Sequence, residues 1–245
     1  MIPMREKLVV IPTYNEKENI EKIIRVVMSL EGQFNILIVD DGSPDGTAAI
    51  VKGLQNEFND RLFIIEREGK LGLGTAYITA FKWALERGYK YVFEMDADFS
   101  HNPADLIRLY NACTVDGADM SIGSRYCKGV SVLNWPIGRL VMSYFASYYV
   151  RKVLRMKVYD CTAGFVCYSD KVLSTIDLDK VKMKGYGFQI EMKYTTYKLG
   201  FKIKEVPIVF ADRTEGTSKM SSGIFGEAFW GVFAMKFRKF RPKKG

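Results

Sequence analysis

The chain has 245 residues, 48% hydrophobic and 26% charged. That balance excludes a disordered or fibrous chain, and at about 150 residues per domain it allows one large domain or one domain plus an appendage. The formal net charge of +8 attracts anions: nucleic acid, an acidic lipid surface or a phosphorylated substrate.

In chain order, Lys7 to Thr13 (KLVVIPT) reads as a buried strand ending at a proline. Ile20, Ile23, Ile24, Val27 and Leu30 give Glu16 to Leu30 a helical apolar face. Asn35 to Asp40 (NILIVD) is a second apolar strand, and Asp45 or Thr47 opens a helix through Phe58. Leu62 to Ile65 is a third strand and Gly74 to Arg87 a helix. Tyr89 to Met95 is a fourth strand, Pro103 to Cys113 a helix and Ala118 to Gly123 a fifth strand. Strands alternating with helices predict βαβ units and a mostly parallel sheet. Continuous apolar strands predict helices on both of its faces.

The remainder changes character. Trp135 to Leu154 mixes aromatics with Arg139, Arg151 and Lys152. Tyr186 to Leu199 reads as a helix and Lys202 to Phe210 as a strand. Ile224 to Phe240 is crowded with aromatics, and the final KFRKFRPKKG carries six bases and no acid. The expected division is one main α/β domain over 1–220 and an amphipathic basic appendage over 221–245. Cys113, Cys127, Cys161 and Cys167 form no CxxC pair, and His101 is the lone histidine, so a structural zinc set is not expected. No signal-peptide pattern and no run of about 18 apolar residues occurs, which predicts a cytoplasmic protein able to meet a membrane only from its surface.

Three polar loops follow strands: PTYNE, VDDGSPDG and MDADFS. In a parallel sheet they gather beyond the carboxyl ends of the strands, where such folds bind ligands. Asp96 and Asp98 are hard oxygen donors suited to Mg²⁺ or Mn²⁺, or else the acids of a solvated turn before a helix at Asn102. Tyr14 can stack on a base or pack at a strand end. Glu16 can bind ribose or sit in a first helical turn. Gly72 and Gly74 read as turn glycines, since a third glycine is missing from the dinucleotide pattern. His101 reads as a loop or helix-cap residue rather than a base.

VIPTYNEKENI, VDDGSPDGT, KLGLGTAY and MDADFSHNP, in this order, resemble family 2 glycosyltransferases. Ser124-Arg125-Tyr126, DCTAGF from Asp160, GYGFQIE from Gly185, EVPIVF from Glu205 and DRTEGTSK from Asp212 narrow the resemblance to the polyprenyl-phosphate (dolichyl-phosphate) mannosyltransferase group, from about Leu8 to Lys219. The resemblance implies an α/β GT-A fold with C-terminal amphipathic helices and an Asp-x-Asp metal motif. It implies a nucleotide-sugar site at Pro12, Tyr14, Glu16, Val39, Asp41, Asp96, Ala97, Asp98, Arg213 and Lys219. It implies metal at Asp96 and Asp98, with Ser100 where relatives sometimes carry a glutamine. Arg125 and Arg213 join Asp96 and Asp98 in catalysis, and Arg125, Arg139 and Ser143 face the acceptor phosphate.

The implied reaction is inverting transfer of mannose from GDP-mannose to a polyprenyl phosphate, at the cytoplasmic face of a membrane. Residues 135–154 and 224–240 are the expected membrane contacts, and a membrane-protein partner is compatible with them. The alternatives are another donor, UDP-glucose or a UDP-N-acetylhexosamine, or a basic nucleic-acid-binding protein. The strand-end acids argue against the last, because they repel a phosphate backbone.

Overall fold

The computed structural model describes residues 6–183, 185–212 and 223–243, with the backbone alone for 186 and 223–228. The first half alternates as β1 (Lys7–Thr13), α1 (Ile20–Ser29), β2 (Asn35–Asp40), α2 (Thr47–Gln55), β3 (Leu62–Glu66), α3 (Leu73–Glu86), β4 (Tyr91–Glu94), α4 (Asp105–Thr114) and β5 (Met120–Ser124). Then come β6 (Val132–Leu133), α5 (Ile137–Leu154), β7 (Val166–Ser169), α6 (Asp170–Thr175), a 3₁₀ turn (Leu178–Lys180), α7 (Tyr186–Lys198), β8 (Ile203–Pro207), β9 (Phe210–Ala211) and α8 (Gly223–Phe237).

Seven strands form one sheet in the order β3-β2-β1-β4-β7-β5-β8, and β6 pairs with β9 in a small second sheet. All pairs in the large sheet are parallel except those of β7, which runs antiparallel between β4 and β5. From β1 the chain winds outward to β2 and β3 on one side and returns to β4 on the other. The junction of β1 and β4 is thus a topological switch point, where open α/β sheets leave a crevice at the strand ends.

Alternating strand residues feed two cores. Val9, Ile11, Ile38 and Phe93 pack with Ile23, Val27 and Leu109 on one face. Leu8, Val10 and Leu37 pack with Tyr77, Phe81 and Phe188 on the other. Both faces of the strands are covered, as their unbroken apolar runs predict. Val232 and Met235 of α8 lie in the second core at 1% and 4% exposure, so the segment expected as an appendage packs into the core of the main domain.

The start of the basic tail is also docked. Arg238 pairs with the buried Glu191, Phe240 meets Tyr194 edge-on at 5.1 Å, and the Lys243 amide donates to Thr175 O at 2.8 Å. These contacts seat residues 238, 240 and 243 on α6 and α7. Strand β7 and helix α6 were not expected. FVCY is too short to show a period, and an antiparallel insertion breaks the βα alternation that guided the reading.

Candidate active site

The β1 and β2 loops are tied together at the crevice. Asp40 accepts from Thr13 Oγ1 at 2.8 Å and from the Ser43 amide at 2.9 Å. The Asn15 amide donates to Ser43 Oγ and the Glu16 amide to Thr47 Oγ1. These bonds fix the backbone that carries Pro12, Tyr14 and Glu16, all partly exposed. Lys70, on the loop after β3, lies 5.2 Å from the Tyr14 ring centre. At Gly42, φ is +68° and an added Cβ would stand 3.2 Å from Arg67 O, so a side chain is unwelcome twice over.

Two nucleotide candidates sit deeper than expected. Val39 is wholly buried among the core residues, so it presents no surface to a ligand. Asp41 is 7% exposed, and Arg67 Nε donates to its Oδ1 at 2.6 Å. Burial raises the Asp41 carboxyl against the opposing pull of Arg67. Arg67 also reaches Thr75 Oγ1 at 2.8 Å, locking α3 to the β2 end. No motif marks Arg67; its only sequence signal is its place just after a strand. Gly74 is not a phosphate-loop glycine, because a Cβ there would lie 2.9 Å from Met183 O and from the Phe188 ring. It is small so that α3 can press on α7.

The acid turn follows β4. The side chain of Asp96 is 42% exposed, Ala97 is buried, and Asp98 is partly exposed. Asp98 Oδ1 accepts the Ser100 amide at 3.1 Å, and Phe99 takes the left-handed conformation at φ +60°. His101 is 2% exposed. Its Nδ1 accepts the Asp96 amide at 3.3 Å, and burial pushes its imidazole down to about 4.

The donor set suits a hard divalent cation. Two carboxylates share one turn, and the buried Ser100 hydroxyl has no hydrogen-bond partner among the described residues. No cluster of three or more His, Cys, Asp or Glu side chains suited to a metal occurs among the described residues. A cation there would take its remaining oxygens from water and substrate.

Beneath the turn, Glu94 is fully buried and accepts from Gln189 Nε2 at 2.8 Å. One turn on, Lys193 donates to Ala163 O at 2.6 Å and to Gln189 Oε1 at 3.0 Å. This network joins α7 to β4 and to the 160–165 loop, and sequence reading missed it.

Of the residues expected at the acceptor phosphate, Arg125 is not a surface cation. Its Nε and Nη2 each lie 2.7 Å from the Asp160 carboxylate, which is 0% exposed. In this conformation Arg125 braces the 160–165 loop from inside. Glu205 holds the same loop by accepting the Tyr159 and Asp160 amides at 2.7 and 2.9 Å. Arg139 pairs with Asp212 at 2.7 Å and stacks on Trp135 at 4.2 Å. Ser143 accepts from Tyr126 Oη at 2.8 Å. Strand β9 bridges the two halves, since the Ala211 amide donates to Ser100 O at 3.3 Å and the Asp212 amide to Leu133 O at 3.1 Å. Arg213 and Lys219 lie outside the described residues.

Helices α5 and α8 lie together, with Tyr149 stacked on Phe229 at 4.7 Å. Ile137, Phe145, Trp230 and Phe237 project outward at 61–80% exposure. Beside them a groove of about 440 Å³ is lined by Tyr126, Leu140, Val141, Tyr144 and Phe145. Among the described residues, no helix is long and apolar enough to cross a membrane.

Acids gathered at the switch point of a Rossmann-like sheet mark a ligand-binding crevice, and the fold is of the GT-A class. In agreement, the model of "Glycosyl transferase family 2" matches residues 8–177, and the chain belongs to that family. It is 46% identical to a polyprenol monophosphomannose synthase of Mycolicibacterium smegmatis, over 94% of this chain and 88% of that protein. It is 44% identical to an undecaprenyl-phosphate mannosyltransferase of Micrococcus luteus, over 93% and 94%. Among solved structures, it superposes on Mycobacterium tuberculosis glucosyl-3-phosphoglycerate synthase crystallised with Mn²⁺, UDP and phosphoglyceric acid. That match has a TM-score of 0.66 at 20% identity and covers 94% of this chain and 76% of that one.

Proposed function

We propose that this chain transfers mannose from GDP-mannose to a polyprenyl monophosphate with inversion, giving a β-mannosyl phosphoryl polyprenol and GDP. One observation carries the reading. The acid turn and an outward apolar face are held a few bonds apart, through Ser100 O to Ala211 and then Asp212 to Arg139 on α5. Such a site suits an acceptor that is a phosphate at one end and a hydrocarbon at the other. The names of the two relatives add the sugar and the lipid class.

Asp96 and Asp98, with Ser100, would hold Mg²⁺ or Mn²⁺. The ion's chemistry is to neutralise the departing diphosphate. The GT-A neighbour crystallised with Mn²⁺ supports that assignment. Tyr14 and Glu16 are offered to the nucleotide, on a backbone held by Asp40, Ser43 and Thr47. An acceptor monophosphate, with a second pKa of about 6, is largely dianionic at neutral pH. One of its oxygens forms the bond to the sugar C1 as the C1–oxygen bond to GDP breaks, with no proton to remove. The protein therefore has to position two anions and screen their repulsion. Arg139 is the cation offered to the acceptor phosphate, and the groove beside Tyr144 and Phe145 receives the first isoprene units. The exposed faces of α5 and α8 rest on the membrane surface.

The test is the product. NMR of the purified mannosyl lipid should show the β anomer, and GDP should compete with the donor where UDP does not. An α product would overturn the single displacement. Competition by UDP alone would move the donor to a UDP-sugar.

A further inference from the structure

His101 lies against the proposed donor site, yet the displacement gives it no chemical task. Its surroundings are built rather than incidental. The ring stacks on Phe165 at 4.8 Å and 14° and meets Phe210 edge-on at 5.3 Å. Phe165 closes the 160–165 loop and Phe210 opens β9, so two separate elements fix the ring plane. In that plane Nδ1 points at the Asp96 amide, 3.3 Å away. An imidazole nitrogen that accepts an N–H carries no proton itself, which places the proton on Nε2.

The turn needs such an anchor. It carries a non-glycine residue, Phe99, at φ +60°, a conformation that persists only where surrounding contacts over-determine it. The Asp98–Ser100 bond closes the turn locally. The Ser100–Ala211 bond ties its far end to β9. The His101 bond closes the near end, at the amide of the first acid. Together with the Met95 amide's bond to Val10 O at 3.1 Å, it holds the backbone that aims both carboxylates.

We propose that His101 is the positioning residue of the acid turn: by accepting the Asp96 amide, its Nδ1 fixes the backbone from which Asp96 and Asp98 present their carboxylates. The proposal rests on the reading of those acids as the ligands of a divalent cation and a nucleoside diphosphate. Second-sphere groups of this kind typically change metal affinity by about 10–100-fold when removed.

The experiment separates the hydrogen bond from the packing. His101→Phe keeps an aromatic ring against Phe165 and removes the acceptor. His101→Asn removes the ring and keeps an acceptor oxygen close to the place of Nδ1. Mn²⁺ affinity is measured by the electron paramagnetic resonance of free Mn²⁺ in the presence of GDP, alongside kcat, the two KM values and thermal melting. The expected result is a loss of Mn²⁺ affinity of about tenfold or more in His101→Phe. Its kcat falls, acceptor KM is unchanged, and His101→Asn recovers most of the affinity. Wild-type affinity in His101→Phe, or equal losses in both variants, would overturn the proposal. If His101→Phe does not fold, His101→Leu replaces it as a partner of Asn's size without an acceptor, and the same comparison decides. Wild-type protein that binds no Mn²⁺ with GDP would overturn the functional reading itself, a result distinct from both of these.

Discussion

Arg125 and Asp160 form a fork-on-fork ion pair in which neither side chain is more than 9% exposed. Burial pushes the Asp160 carboxyl up, and the charge and hydrogen bonds of Arg125 outweigh it, so the carboxyl stays below its ordinary value. Removing either partner strands a buried charge. Arg125→Ala and Asp160→Ala are each expected to cost about 3–5 kcal/mol of stability. The double variant should cost less than the sum. Arg125→Lys should not rescue, because an ammonium cannot donate in the paired geometry. Urea unfolding of wild type and the four variants checks this; additive losses would mean that the two residues act separately.

Glu94 gives a pH dependence of definite sign. Burial raises its carboxyl from 4.5 to about 8, against the opposing pull of Lys193 and Gln189. The folded protein thus keeps a proton that the unfolded chain releases, and this group's contribution to stability declines as pH rises from 4.5 to about 8. Burial also lowers the Lys193 ammonium to about 8, so its own contribution changes above this window. Glu94→Gln mimics the protonated form and should flatten the decline, by no more than about 1.4 kcal/mol per pH unit. Denaturation across that window should show matching stabilities at its acid end and a more stable variant at its basic end. Parallel curves would mean that Glu94 is ionised in the fold.

The 2.7 Å pair between Arg139 and Asp212 engages the cation that the proposed function offers to the acceptor. An ion pair of this partial exposure is worth about 0.2–1 kcal/mol. Asp212→Asn, by releasing Arg139, should lower the acceptor KM by up to about fivefold and sharpen inhibition by inorganic phosphate. Initial rates against acceptor concentration decide. A raised acceptor KM would instead make Asp212 a support of Arg139 rather than a competitor for it.

In the proposed function the outward apolar side chains carry the membrane contact. Ile137 and Trp230 are 80% and 71% exposed, so Ile137→Glu and Trp230→Glu should leave the melting temperature within a few degrees of wild type. Co-sedimentation with vesicles containing anionic lipid should fall severalfold, while turnover of a short, water-soluble acceptor phosphate is kept. Unchanged sedimentation would move the contact elsewhere.

The strand ends and acid turn were legible because apolar runs stop abruptly at acids, and a parallel sheet gathers such ends on one edge. Which strand-end residue faces the ligand was less legible. A one-residue change of register exchanges the two faces, and Val39 proves to be core. Asp41 proves to be paired with Arg67, a base without a motif. His101 has Ser100 and Asn102 beside it and so read as a loop residue; its burial comes from Phe165 and Phe210, both far along the chain. The Glu94–Gln189–Lys193 network was equally hidden, since nothing local marks three polar residues as sharing one interior.

The most direct measurement mixes the purified protein with radiolabelled GDP-mannose, a polyprenyl phosphate and Mn²⁺ or Mg²⁺, and counts label extracted into organic solvent. The account predicts metal-dependent transfer, abolished without metal and in Asp98→Ala. Label that stays in the aqueous phase with every sugar donor and both metals would contradict it.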